Sequence, residues 1–92
     1  MIQDFKHKGL KKLFGSGKAT GVRTEHASRL RKILALLETA EMIEDMDLPG
    51  LKLHQLKGKM KGTWAVWVSG NWRVTFKLQS GDVFDVNYED YH

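Results

Sequence analysis

Six side chains in the second half of the chain carry groups suited to proton and phosphate chemistry: His54, Lys57, Arg73, Asp90, Tyr91 and His92. Histidine exchanges protons near neutral pH, and a neighbouring carboxylate or phenol can accept, donate or position that proton. Lysine and arginine supply fixed positive charge, arginine as a rigid fork that matches a phosphate. On one surface these groups are the parts for cleaving RNA without a metal ion. A base removes the proton of a 2′-hydroxyl, and that oxygen attacks the adjacent phosphorus. An acid protonates the leaving 5′-oxygen while cations stabilise the charge on the phosphorane. Two histidines and an aspartate can share the base and acid roles, with Lys57 and Arg73 serving the phosphate. For Arg73 the purely structural alternative is a salt bridge to Asp82 or Asp85. His7 and His26 are read as helix residues without matching partners. No two histidines stand at metal-ligand spacing, so neither a metal site nor any other cofactor is expected.

Such a set works only if the chain holds it in place. Trp72, Val74, Phe76 and Leu78 alternate with Arg73, Thr75 and Lys77, as in a strand with one apolar face. Asp82 to Tyr88 alternates in the same way, with Phe84, Val86 and Tyr88 on one face against Val83, Asp85 and Asn87. Thr63 to Val68 reads as a third strand, preceded by the short run Leu51 to His54, and Ile2 to Phe5 as a short first strand. Gly70-Asn71 and Ser80-Gly81 are hairpin turns. Lys6 to Phe14 is predicted helical, with Leu10, Leu13 and Phe14 on one face and Lys8, Lys11 and Lys12 mostly turned away. Thr24 is expected to cap a longer helix bearing Ala27, Leu30, Ile33, Leu34 and Leu37, continuing through Ala40 to Met46 until Pro49-Gly50 stops it. Gly15 to Gly21 reads as a flexible connector. It is not a phosphate loop, because Lys12 and Ala19 stand where that motif needs glycine and Ser/Thr. Helices followed by an antiparallel meander make an α+β arrangement.

With 92 residues the chain is expected to form one domain, residues 1–92. Without cysteine it has neither disulfides nor thiolate chemistry. Met1-Ile-Gln-Asp-Phe-Lys is no secretory signal, and no stretch reaches the ~20 apolar residues of a membrane span, so a cytoplasmic protein without membrane contact is expected. The net charge of +4 is uneven. Residues 1–24 carry six Lys/Arg against one acid, residues 25–50 three against six, and residues 51–92 six against four. Basic patches attract polyanions through phosphate contacts. Trp64 and Trp67 fall on opposite faces of one strand, so one of them lies outside the helix-covered core, where it can stack on a base.

The segments Phe5-Lys6-His7-Lys8-Gly9-Leu10-Lys11-Lys12-Leu13-Phe14, Leu53-His54-Gln55-Leu56-Lys57-Gly58, Asn71-Trp72-Arg73-Val74-Thr75-Phe76 and Asn87-Tyr88-Glu89-Asp90-Tyr91-His92 together resemble the HigB toxins, a branch of the RelE/ParE superfamily of bacterial toxin–antitoxin systems. The resemblance runs from end to end. It implies a compact RelE-like α+β fold with N-terminal helices on one face of an antiparallel sheet and a concave active face on the other. It implies a ribosome-dependent endoribonuclease that cuts messenger RNA in the decoding site of the 70S ribosome. It also implies neutralisation by a HigA-type helix-turn-helix antitoxin whose complex with the toxin binds operator DNA. By this resemblance His54 and His92 become acid/base candidates, and Asp90 a base or an orienting carboxylate. Tyr91 positions RNA, and Lys57 and Arg73 become phosphate ligands. Lys6, Lys8, Lys11, Lys12 and Trp64 would contact RNA. Two other readings compete: a ParE-type poison of DNA gyrase, which lacks the catalytic set, and a basic nucleic-acid-binding module, which needs none of the histidines.

Overall fold

The structure, a computed structural model, describes residues 1–91. Helix α1 (Lys8–Ser16) buries Leu10 and Leu13 and exposes Lys8, Lys11 and Lys12, but Phe14, expected on the same apolar face, is exposed and meets the Phe5 ring at the edge of the fold. Its first turn is capped by His7, whose Nδ1 accepts the Leu10 N–H at 3.1 Å. Gly17, with φ of 76°, closes its end by donating to the Leu13 carbonyl. Lys6 therefore lies outside the helix. It sits in a bend beside the sheet edge and donates its N–H to the Val86 carbonyl.

Helix α2 (Ala27–Thr39) is entered through a single 3-10 turn, Thr24–His26, and Thr24 makes no side-chain cap. Its buried stripe is Ala27, Leu30, Ile33, Leu34 and Leu37. The expected helical continuation to Met46 is not formed. Ala40 is extended, and a separate 3-10 turn covers Ile43–Met46. The Asp45 carboxylate starts that turn by accepting the N–H groups of Glu41 and Met42 at 2.9 and 3.2 Å, which pulls its own pKa down. Local side-chain bonds of this kind compete with helix propagation.

Four strands, β1 (His54–Gln55), β2 (Trp64–Ser69), β3 (Trp72–Gln79) and β4 (Asp82–Asp90), form one antiparallel sheet in sequence order. The N-terminal segment lines the outer edge of β4 through parallel bridges Ile2↔Val83 and Phe5↔Val86. Both helices bury their stripes in one core with Val66, Val68, Val74, Phe76, Val83, Val86 and Tyr88. Each fully buried Leu or Ile of those stripes contributes about 1.5–3 kcal/mol. This is the expected α+β arrangement.

The alternation predicted for β4 breaks at one residue. Val83 is fully buried with Val86 and Tyr88, and Phe84 is only half-buried. The cause is a bulge. Thr75 pairs with Asn87 but Lys77 pairs with Phe84, so β4 carries one extra residue there. Asp85 occupies it at φ of 54°, and its N–H bonds the Asp4 carboxylate. An extra residue shifts the two-residue period by one, so the face assignments before and after it cannot both follow simple alternation.

Candidate active site

Cross-strand register decides which side chains share the sheet face turned away from the helices. Residues directly opposite in antiparallel strands project to the same side. One row runs His54↔Ala65↔Thr75↔Asn87 across all four strands. The next runs Trp67↔Arg73↔Glu89. Ala65 and Thr75 are small and buried, and they form the floor between the flanking longer side chains. With strands about 4.8 Å apart and about 3.4 Å per residue, the His54 and Arg73 backbones stand roughly 12 Å apart on this face.

Arg73 is the centre of the second row. Its side chain is only 15% exposed. Its Nη2 donates to the Glu89 Oε2 at 3.0 Å, and its guanidinium carbon lies 4.3 Å from the centre of the Tyr91 ring. Its Nε is buried without a hydrogen-bond acceptor among the described residues. Asp82 and Asp85, the partners considered from sequence, are engaged elsewhere. Asp85 lies 3.6 Å from Lys77 Nζ, and Asp82 accepts from Gln3. Tyr91 is anchored by its N–H to the Asn71 carbonyl at 3.0 Å, in the β2–β3 turn.

His54 is exposed, with Nδ1 2.9 Å from the Lys52 carbonyl. A carbonyl only accepts, so Nδ1 carries the proton and Nε2 is the nitrogen left to exchange one. Helix α2 fastens the loop that sets this geometry. Arg29 donates to the Gly50 carbonyl at 2.6 Å and the Trp67 carbonyl at 3.4 Å. The Arg29 guanidinium and the Lys52 ammonium also lie 5.2 and 4.4 Å from the Trp67 ring centre. Nothing in the linear pattern paired Arg29 with Gly50 or Glu89 with Arg73, partners that lie 21 and 16 residues apart.

The remaining candidates divide. Lys57 is exposed just before a 3-10 turn, Gly58–Met60, in the β1–β2 connection. Asp90 pairs with Trp72 and so belongs by register to the helix side, where its charge acts on Arg23. Asp90 and Tyr91 thus leave the end of β4 on opposite faces. His92 lies outside the described residues. Lys6, Lys8, Lys11 and Lys12 are all exposed. Trp64, half-buried, pairs with buried Phe76 and packs against the helix-covered core, while the equally half-buried Trp67 shares the row of Arg73.

A second cluster lies under the helix side of β4. His26 Nδ1 and the Tyr88 hydroxyl are 2.6 Å apart and buried. Trp72 stacks on Tyr88 at 4.6 Å, the His7 ring meets Tyr88 at 5.2 Å, and Arg23 lies 5.9 Å over Trp72. Neither histidine is therefore without a partner. Burial raises the pKa of Tyr88 and lowers that of His7.

A model of the RelE-like toxins of type II toxin–antitoxin systems, HigB, matches residues 3–92. The chain belongs to the HigB-like toxin family. Curated relatives include "Endoribonuclease HigB" of Proteus vulgaris, 45% identical over 92 residues that span 100% of both chains. As a toxin of a type II system, this HigB-like protein has an antitoxin as partner. No helix among the described residues is long and apolar enough to cross a membrane.

Proposed function

We propose that this HigB-like toxin is an endoribonuclease that cuts messenger RNA in the decoding site of the 70S ribosome by acid/base catalysis without a metal ion. The observation that carries the reading is Arg73, a half-buried cation held by Glu89 and Tyr91 on the same sheet face as His54. The 45% identity to a protein named an endoribonuclease supports it. In this scheme the scissile phosphate meets Arg73 and Lys57, which offset the charge that develops on the phosphorane. His54 exchanges a proton through Nε2, the Nδ1–H being held by the Lys52 carbonyl. His92 supplies the complementary proton transfer, and Tyr91 positions the RNA chain over Arg73, while Asp90, on the helix-side register, takes no direct part in the proton transfer. The exposed Lys6, Lys8, Lys11 and Lys12 contact ribosomal RNA. The toxin acts in the cytoplasm. Its partner is a HigA-type helix-turn-helix antitoxin, and operator DNA is met only through that complex.

The test is expression of the wild type, Arg73→Ala and His92→Gln in bacteria, with primer extension on a reporter messenger with or without its start codon. Growth arrest and new 5′ ends inside translated codons are expected for the wild type alone, and only on the translated reporter. Arrest with an intact messenger would overturn the proposal in favour of a gyrase poison.

A further inference from the structure

Resting on that nuclease reading, we infer that Glu89 is a positioning residue: it holds the Arg73 guanidinium in the orientation that meets the scissile phosphate. Glu89 stands directly opposite Arg73 in the β3–β4 ladder, and the two side chains are 30% and 15% exposed. A cation at that depth, with its Nε buried and unpaired among the described residues, is fixed in one orientation by the carboxylate beside it. Glu89 engages Nη2, which leaves the other terminal N–H groups for a phosphate. Tyr91 closes one side of the same plane at 4.3 Å. The guanidinium is thus constrained through one nitrogen and one flat side, and its terminal donors have their direction before RNA arrives. Preorganised charge of this kind costs no reorganisation in the transition state. Glu89 itself need not touch RNA.

The experiment measures single-turnover cleavage at saturating toxin on programmed ribosomes, for the wild type, Glu89→Gln, Glu89→Asp, Arg73→Ala and the Arg73→Ala/Glu89→Gln double variant. Ribosome binding and melting temperature are recorded beside it. Glu89→Gln is expected to lower the rate constant by on the order of 10²-fold, the cost of a roughly 1 Å misplacement. Binding should remain near the wild-type value, and Glu89→Asp should recover part of the rate. In the Arg73→Ala background, Glu89→Gln should cost nothing more, because its effect passes through Arg73. The inference is overturned if Glu89→Gln cleaves within twofold of the wild type or faster. It is equally overturned if the loss persists undiminished in the Arg73→Ala background. A wild type that leaves ribosome-bound messenger intact would instead sink the nuclease reading on which the inference rests.

Discussion

Two glycines of α1 should respond to the same substitution with opposite signs. A Cβ built on Gly9 would lie 2.2 Å from the carbonyl oxygen of Gly21 and 2.6 Å from its carbonyl carbon. Both atoms are backbone, so no rotamer change relieves the clash. The segment around Gly21 must move off the helix, or α1 must move off the core that holds Leu10 and Leu13. Overpacking a tight site costs about 1–3 kcal/mol, and a backbone-on-backbone clash belongs at the upper end. For a domain of this size about 3 kcal/mol corresponds to a fall of roughly 12–24 °C in melting temperature. A Cβ on Gly15 meets nothing within 4 Å, and the residue is helical and exposed. Gly15→Ala should therefore gain about 0.5 kcal/mol from helix propensity, roughly 2–4 °C. Thermal denaturation followed by circular dichroism reads both variants. Gly9→Ala melting within 2–3 °C of wild type on this scale, or Gly15→Ala as destabilised as Gly9→Ala, would refute the packing argument.

Two further substitutions test the cluster under β4. Tyr88→Phe removes the hydroxyl that pairs with buried His26, and should cost about 2 kcal/mol or roughly 8–16 °C in thermal melts; an unchanged melting temperature would mean the pair contributes nothing. His7 has its pKa lowered by burial, so the unfolded chain binds the extra proton first: stability is full above the ordinary histidine value of 6.5 and is lost as pH falls below it. Protonation also blocks Nδ1 from accepting the Leu10 N–H, a cap worth about 1 kcal/mol, so His7→Asn, which keeps an acceptor, should flatten the melting-temperature slope below pH 6.5; an identical slope in both proteins would count against it.

The helices and hairpins were legible because their signals are local. Leu10 and Leu13, or Leu30, Ile33, Leu34 and Leu37, recur at helical spacing, and Ser80-Gly81 supplies the two positive φ values, 53° and 81°, that a type I′ turn demands. The side of β3 that bears Arg73 was legible for the same reason, since β3 alternates without interruption. Partners were not. The Tyr88–His26 pair spans 62 residues and the Arg29–Gly50 bond 21, and no local pattern encodes which polar groups meet across a folded core. The capping role of His7 was missed because the Lys6 to Phe14 pattern hides where the first turn begins. Trp64 and Trp67 were correctly placed on opposite faces, but choosing between them needed the pairing of Trp64 with Phe76.

The bulge at Asp85 connects these misses to the site. The two-residue turn sets Gln79 opposite Asp82. Continued without a bulge, that register would bring Tyr88 opposite Arg73 and Glu89 opposite Trp72. Tyr88 would then leave the core and the hydroxyl that meets His26 would be lost, while Glu89 would enter the aromatic cluster. One extra residue in β4 restores Tyr88 to the core and Glu89 to Arg73. The bulge is stabilised from outside the hairpin, by the Asp4 carboxylate on the Asp85 N–H and by the Gln3 and Lys6 N–H groups on the Val83 and Val86 carbonyls. Lys77 adds a charge partner to Asp85 itself. The N-terminal segment therefore does more than cover an edge. By fixing the phase of β4 it determines which carboxylate faces Arg73, so the composition of the candidate site at one end of the chain depends on hydrogen bonds made by residues 3 to 6 at the other.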